Sequence, residues 1–569
     1  MRNKLAAMIF LILPAVFSGC GSSGTLPDLP PPEDYPPWDW SDVTTVYVWE
    51  PAVRDMPHDE LLFAEAIQGI VNREKPQLYI NFHRFVKTYD LWLTEIHALH
   101  GFEIVTVTDI WDLAEIFKDR INGYVVYPEL YTETMNYAAT IAGVLNALPI
   151  SRRLVSTARS RGFKQLDNAA NYTGIDRVIE KYGARLNKKM FLNIDTARPT
   201  LRDYGIKHRA IMVWPSEQAG LQPVYNFLEK PALLYGWFND GQGSEMGGIR
   251  EASINQLVTI PSDWALNMSF LEEPSESVLK QPEPIDKDLK AQAGKHYITF
   301  SFTDGDNIQW LIGGFTDPRF YGYDRSIQVP FGWSLTPTLL DYAPVIMDYI
   351  YKTAVPADNF HTALGYGYIH PSKFTQENLI WFGERTAGYM RRADQHYMDI
   401  FDNDPAAVRQ SAAVWDAFTR HDQIKGIMYK TGADTYLAGK GYLEWSNDKP
   451  VVAFREMLWD TTWTENERIK DSNIYQMAYR ISQYDKDPAK IDGYTLVAVH
   501  CWTHDYGSVI KMADWFKEND PDVVIVTPDT FMRLITENVP KTNANPVKNY
   551  DDSWDYSSVS HLYRRNRQN

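Results

Sequence analysis

Two carboxylates and an amide lie within four residues of one another in the segment TDGDN at 303–307, directly after the apolar run YITFSF. Asp, Gly and Asn are also the residues that turns select, so a plain turn is the structural alternative. A turn does not require a second Asp directly after Gly, however. Carboxylates that lie close together repel one another, which raises the pKa of one so that it can donate a proton while its neighbour stays ionised. Asp304 and Asp306 are therefore candidate catalytic residues.

A third carboxylate, Glu456, follows the apolar run PVVAF and stands next to Arg455. Glycoside hydrolysis needs a neutral acid that protonates the leaving oxygen and a carboxylate that stabilises the oxocarbenium-like state. Glu456 could supply one of these groups, and Asp304 or Asp306 the other. A solvated ion pair between Arg455 and Glu456 explains the same two residues equally well.

Two histidines, His500 and His504, follow the apolar run TLVAV. Together with Asp306 they could hold a divalent metal ion that activates a water molecule, and Asp304 would then be the base of a reaction such as sugar deacetylation. Hydrolysis by a carboxyl pair without a cofactor is the favoured scheme. A glycan-binding protein without catalysis is the third interpretation, because a fold does not dictate chemistry.

Aromatic side chains also gather after the apolar runs of the second half of the chain. Their apolar faces and polar edges suit sugar rings, so an oligosaccharide or polysaccharide is the predicted partner. The candidate substrate-binding residues are Asn307, Trp333, Tyr366, Tyr368, His370, Asp434, Arg455, His500 and Trp502.

Eight apolar runs in the second half recur about 32 residues apart, which is the period of a strand followed by a helix. They begin near Tyr297, Gln328, His361, His396, Lys425, Pro450, Tyr494 and Asp522. The pattern predicts a (β/α)8-like barrel over residues 295–540, and its uneven crossovers leave a seven-unit or distorted barrel open. Functional groups of such barrels lie at the carboxyl ends of the strands, which is where the candidate residues stand.

Residues 41–271 alternate short β-branched or aromatic runs with amphipathic stretches, which predicts an N-terminal α/β domain with a mostly parallel sheet. The Pro-rich, charged stretch 272–294 is the predicted linker, and 541–569 a peripheral tail. The glycine-rich segment DGQGSEMGG at 240–248 predicts a mobile loop that could cover a site. No GxGxxG or Walker-type loop is present, so no nucleotide is expected.

The composition fits an ordinary globular protein, with 44% apolar and 23% charged residues. A net charge of −17 provides no basic face for phosphate backbones, so nucleic acid and anionic membrane surfaces are not expected partners.

The N-terminus has the pattern of an export signal, since Arg2 and Lys4 precede an apolar stretch that ends in FSGC at 17–20. Small residues before Cys20 are typical of a bacterial lipobox, which predicts a signal peptide over 1–19 and acylation of Cys20. A plain secretory signal is the alternative. The Pro-rich residues 20–40 then form a tether, and we expect an exported chain whose only membrane contact is a lipid anchor on the cell envelope.

The segment GYGYIHP at 365–371 resembles the GxGYxYP signature of a family of bacterial glycoside hydrolases, largely of the Bacteroidetes type. IQGIVNREKPQLYI at 67–80 and NYAATIAGVLNAL at 136–148 are similar to the N-terminal part of that family. The resemblance implies an N-terminal domain, a C-terminal barrel-like domain and a carbohydrate hydrolase, but it supplies no catalytic residues. His370 stands where the signature has Tyr. TDGDN and the later HCWTH also resemble, more weakly, the metal-binding motifs of polysaccharide deacetylases.

Overall fold

The computed structural model describes residues 40–51, 57–81, 88–273, 277–402, 409–432, 436–460, 466–542 and 546–547. The predicted signal peptide, Cys20 and nearly all of the tether lie outside the described residues, as do Asp434 and most of the tail. In the part of the chain that is described, no helix combines the length and apolarity needed to cross a membrane.

The described residues of the N-terminal half contain ten short strands, most of them buried and rich in β-branched and aromatic residues. They are β1 Thr45–Trp49, β2 Leu78–Ile80, β3 Glu103–Val107, β4 Gly123–Tyr127, β5 Ala147–Ser151, β6 Gln165–Asn168, β7 Met190–Asn193, β8 Ile211–Val213, β9 Ala232–Gly236 and β10 Leu257–Pro261. They form three separate parallel sheets with the orders β2-β1-β3, β5-β4-β6 and β10-β9-β7-β8. The α/β prediction is confirmed, although the parallel strands are divided among three sheets.

In the same described residues, ten α-helices connect these strands and cover the sheets. They are α1 His58–Val71, α2 Thr88–His100, α3 Ile110–Ile116, α4 Glu133–Leu145, α5 Val155–Ser160, α6 Ile175–Tyr182, α7 Arg202–Lys207, α8 Gln222–Phe227, α9 Ser244–Ile254 and α10 Met268–Leu271. Helices α1 and α4 are buried over most of their lengths, because they pack between sheets.

The C-terminal half is one large sheet surrounded by helices. Its strands are β11 His296–Phe302, β12 Phe331–Leu335, β13 Asp358–Thr362, β14 Tyr397–Asp402, β15 Gly426–Thr431, β16 Leu443–Ser446, β17 Lys449–Ala453, β18 Glu456–Leu458, β19 Tyr494–Val499 and β20 Val523–Ile525. Its helices are α11 Ile308–Gly313, α12 Leu339–Tyr342, α13 Pro344–Thr353, α14 Gln376–Arg392, α15 Ala412–Thr419, α16 Glu467–Ser482, α17 Tyr506–Asn519 and α18 Pro528–Asn538.

The large sheet has the order β16-β17-β15-β14-β13-β12-β11-β19-β18, and β20 also pairs with β11. All pairs are parallel except β16 with β17. The run 449–458 pairs with β15 through its first half and with β19 through its second, so the sheet curls into a barrel-like form. The predicted barrel-like fold is confirmed in this distorted form, and each of the eight predicted runs contributes a strand.

One hydrophobic cluster extends from Trp40 in the first half to Val523 in the second. The stretch between the halves also packs against the barrel: the amide nitrogen Nε2 of Gln281 donates to the Phe360 carbonyl at 3.0 Å, and Asp286 accepts from Thr527 and Thr530. The two halves therefore share buried surface, and a site can form between them.

Candidate active site

A cavity of about 330 Å³ lies between the halves at the carboxyl end of β11, and we call it the cleft. Its lining residues are Arg198, Trp237, Glu245, Asp263, Trp264, Asp304, Asp306, Asn307, Gln309, Leu364, Tyr368, Phe401, Lys430, Tyr436 and Trp502. Five of them, from Arg198 to Trp264 and including Glu245, belong to the N-terminal half, which therefore forms part of the cleft.

Asp304 follows β11 in the left-handed region, with φ of +63°, a conformation that Asp tolerates better than most residues. The indole Nε1 of Trp502 donates a hydrogen bond to its Oδ1 at 3.0 Å, and the Thr303 hydroxyl bonds its Oδ2. The loop is pressed against the next strand end, because a Cβ on Gly305 would lie 1.8 Å from the Ser334 carbonyl oxygen. The loop thus fixes the Asp304 carboxylate at the cleft.

Asp306 is more deeply buried than Asp304. Burial, followed by the nearby Asp304 carboxylate, raises the pKa of Asp306 well above its usual range, and Lys430 acts in the opposite direction. The Lys430 ammonium is itself bonded to Asp399 at 2.9 Å. The surroundings of Asp306 therefore favour its neutral form.

Glu245 enters the cleft from the first turn of α9 in the N-terminal half. Burial is the main cause that raises its pKa to about 7, and Asp304 raises it further, while a hydrogen bond from Tyr368 lowers it. The Tyr368 hydroxyl donates that bond to Glu245 Oε1 at 3.1 Å. Glu245 and Asp304 are consequently an interacting carboxyl pair supplied by different halves of the chain, and the pKa of Glu245 is the one that their surroundings raise.

The segment 240–248 was predicted to be a mobile loop, and this prediction is wrong. Asn239 caps a short helical turn in a reciprocal arrangement with Gln242, after which α9 begins. Gly248 lies inside α9, where a Cβ would be 2.2 Å from the Phe238 ring, so glycine is required at this position. Gly243 and Gly248 thus allow close packing, whereas Gly247 has open space beside it. The sequence analysis missed Glu245 because it interpreted this glycine-rich segment as a loop.

The signature segment 365–371 joins the two halves. The N–H of Tyr368 donates to the Thr259 carbonyl at 2.8 Å, and the N–H of Thr259 donates to the Tyr368 carbonyl at 3.0 Å, so the segment pairs antiparallel with β10. A Cβ on Gly367 would lie 2.5 Å from Val258 Cγ1 and 2.7 Å from Ile260 Cδ1. Glycine is therefore required for this close approach, which brings Tyr368 to Glu245.

Two indole rings at the cleft are half exposed, with Trp264 at 49% and Trp502 at 47% of their free surface. The Arg198 guanidinium stacks 3.7 Å above the Trp264 ring and pairs with Asp263 at 3.2 Å. Large aromatic faces that stay open to solvent beside carboxylates are suited to binding sugar rings.

The structure brings together five of the predicted site residues: Asp304, Asp306, Asn307, Tyr368 and Trp502. Asn307 precedes α11 at the N-cap position, and its amide nitrogen Nδ2 lies 3.4 Å from Asp304 Oδ1. Asp434 lies outside the described residues.

Glu456 does not face the cleft, which corrects the predicted pairing with Asp304 or Asp306. It lies two residues before the end of β18, and both of its carboxylate oxygens are bound by the Arg480 guanidinium of α16. The Tyr484 hydroxyl also donates to this carboxylate. The side chain is 2% exposed, so Glu456 forms a buried ion pair between strand and helix.

Three further predicted substrate ligands are placed in the protein interior, which corrects their assignment. The Trp333 indole is fully buried in β12 and donates to Asp358 at 2.8 Å. Tyr366 packs against Trp381 of α14. Arg455 donates to the carbonyl oxygens of Asp492 and Tyr494. None of the three side chains lines the cleft.

The histidines are also buried and do not line the cleft. His370 lies beside Phe401, His500 stacks on Trp459 with a centroid distance of 4.5 Å, and His504 Nδ1 lies 3.3 Å from Ser508 Oγ. Burial lowers the pKa of His500, although Asp304 opposes this change. Within the described ranges, no group of three or more His, Cys, Asp or Glu side chains is arranged to hold a metal ion, so the predicted set of Asp306, His500 and His504 is not assembled.

Three family models match the chain. They are described as "GxGYxYP_N 1st domain" over residues 47–119, "GxGYxYP third domain" over 189–273 and "GxGYxYP putative glycoside hydrolase C-terminal domain" over 294–536. Together these models span most of the described chain, and the model of the C-terminal domain includes the signature segment.

A solved structure described as a putative hydrolase from Bacteroides thetaiotaomicron has a similar fold, with a TM-score of 0.76 and 24% sequence identity. The similarity covers 90% of this chain and 99% of the solved chain. Among curated proteins, none matches.

Proposed function

Because this chain belongs to the GxGYxYP family, we propose that it hydrolyses glycosidic bonds of an oligosaccharide or polysaccharide in the cleft, with Glu245 and Asp304 as the carboxyl pair. One observation carries the proposal. Two carboxyl groups from different halves line one cleft with half-exposed indoles, and burial together with the Asp304 carboxylate raises the pKa of Glu245 to about 7.

The two side chains would divide the reaction as follows. Glu245, with a pKa of about 7, holds a proton that it donates to the leaving glycosidic oxygen. The Asp304 carboxylate stabilises the positive charge that develops on the sugar ring in the transition state. A water molecule forms the new bond to the anomeric carbon, and the proton that it loses replaces the one given to the leaving oxygen. The Trp502 N–H orients that carboxylate, and the indoles of Trp264 and Trp502 hold the sugar rings.

Substitution of each carboxylate tests the assignment on glycosides with good and poor leaving groups. Glu245→Gln should lower kcat/KM about 10²- to 10⁴-fold on alkyl glycosides but far less on dinitrophenyl glycosides, because an activated leaving group needs no acid. Asp304→Asn should lower the rate on both kinds of substrate by a similar or larger factor.

Matched controls are Glu251→Gln, on the same helix as Glu245, and Asp324→Asn, at an exposed turn. Both should retain the activity of the parent chain. Near-normal hydrolysis of alkyl glycosides by Glu245→Gln or Asp304→Asn would refute the pair. Glycans that bind to the parent chain and remain intact after long incubation would instead indicate a binding protein.

We also propose that the chain is exported and anchored by acylation of Cys20. Support comes from the lipobox-like sequence alone. Cys20→Ala should move the chain from the membrane fraction to the soluble fraction, and an unchanged distribution would refute the anchor.

A further inference from the structure

A second cavity, of about 400 Å³, adjoins the cleft, and we call it the apolar pocket. Its walls come from both halves, with Tyr89 and Leu266 on one side and Trp310 of α11 on the other. Trp264, Gln309 and Trp502 line both cavities. A ligand held over the exposed edges of the two indoles can therefore reach from one cavity into the other.

Three polar side chains around the apolar pocket are bonded within the protein, and Gln309 Oε1 is a buried acceptor without a partner. The Tyr89 hydroxyl accepts from the Leu266 N–H at 3.2 Å, Thr200 Oγ1 donates to the Asp263 carbonyl at 2.5 Å, and Gln309 Nε2 donates to Asn307 Oδ1 at 3.0 Å. A sugar in this pocket would lose the water around its hydroxyl groups and find few new partners. The pocket therefore selects an apolar group and excludes a further sugar ring.

We propose that the apolar pocket binds a ring-containing, apolar aglycone, so that the substrate is a glycoside whose sugar lies in the cleft and whose aglycone is aromatic or alicyclic. The volume lies in the range of cavities that hold small organic molecules, and aromatic walls favour flat rings. This inference rests on the proposed function, because it assigns the group on one side of the bond that the carboxyl pair cleaves.

Paired substrates test the inference on the whole chain. Benzyl and methyl glycosides of the same sugar release alcohols of similar acidity, so a difference between them reports binding of the ring. We expect kcat/KM to be at least tenfold higher for the benzyl glycoside, because the benzyl group is removed from water in the pocket. Equal kcat/KM values would overturn the inference and leave the proposed function intact.

A side chain that fills the apolar pocket should abolish the preference for the benzyl glycoside over the methyl glycoside. Pro199→Trp places an indole at the wall of the apolar pocket, and the ratio of the two kcat/KM values should fall toward one. The matched variant Pro521→Trp, exposed at the opposite end of the barrel before β20, should keep the ratio of the parent chain. If Pro199→Trp has the unfolding midpoint of the parent chain and also keeps its ratio of kcat/KM values, the assignment of the aglycone to the apolar pocket is contradicted.

Direct binding separates this inference from the proposed function. Calorimetric titration with 2-naphthalenemethanol should show one binding site in the parent chain and in Pro521→Trp, and no binding in Pro199→Trp. If no glycoside is hydrolysed but this pattern is observed, the proposed function fails and the apolar ligand site stands. Absence of binding to the parent chain would overturn the site.

Discussion

Gly367→Ala is the most informative perturbation of the contact between the halves. The added Cβ would lie 2.5 Å from Val258 Cγ1, 2.7 Å from Ile260 Cδ1 and 3.0 Å from the Thr259 carbonyl oxygen. All three atoms belong to β10, where Val258 and Ile260 are almost completely buried. The segment 365–371 must therefore move away from β10.

The expected loss of stability follows from this overpacking. Insertion of one methyl group into a packed interface costs about 1–3 kcal/mol. Each of the two backbone hydrogen bonds between Thr259 and Tyr368 contributes about 1 kcal/mol, so their partial loss lies within the same range. We expect the free energy of unfolding, measured in urea, to fall by about 1–3 kcal/mol.

The same variant should impair catalysis, because movement of Tyr368 disturbs the bond to Glu245. The control is Gly388→Ala in α14, where a Cβ would meet no atom within 4 Å. This control should leave activity unchanged and stabilise the helix by up to about 1 kcal/mol. If Gly367→Ala has the stability and kcat/KM of the parent chain, the signature segment does not position Glu245 as we describe.

Two further substitutions separate roles in catalysis from roles in folding. Glu456→Gln leaves the Arg480 guanidinium without its buried countercharge and should lower the free energy of urea unfolding by about 3–5 kcal/mol. The control Glu537→Gln, which breaks an exposed ion pair with Arg533, should lower it by less than about 1 kcal/mol. Equal effects of the two substitutions would contradict the buried ion pair. Tyr368→Phe removes a hydrogen bond that lowers the pKa of Glu245, so the alkaline limb of the kcat/KM profile, expected near pH 7, should move to higher pH. Tyr366→Phe, in the same segment but outside the cleft, should leave that limb in place, and a shift to lower pH in Tyr368→Phe would oppose the assignment.

The period of the C-terminal half made its fold predictable, because each strand-and-helix unit repeats the same hydrophobic pattern. The same rule placed Asp304, Asp306 and Asn307 correctly, since they directly follow β11 at the carboxyl end of the sheet. Trp502 was found in the same way after β19.

Side chains within strands could not be assigned in this way. A shift of one residue along a strand reverses the face that a side chain occupies, and apolar runs do not define that register. Glu456 was therefore expected at a strand end, although it lies within β18 and faces α16. Trp333 was likewise expected at the cleft, although it is buried within β12.

Glu245 could not be predicted because its role depends on a contact between the halves. It precedes Asp304 by 59 residues, and the two meet because the halves pack together, in part through the pairing of Tyr368 with Thr259. One feature of the sequence reflects this contact, namely Gly367 followed by Tyr368 in the signature. Its meaning depends on the position of β10, which only the structure shows.

The electrostatic coupling of Glu245 to Asp304 is the central claim, and its most direct test needs no substrate. Carbon-13 NMR can follow the titration of the Glu245 carboxyl group, identified by its absence in Glu245→Gln. We expect a pKa of about 7 in the parent chain and a lower value in Asp304→Asn, because removal of the neighbouring negative charge favours ionisation. A Glu245 pKa near that of an exposed glutamate, or one that Asp304→Asn leaves unchanged, would contradict the account.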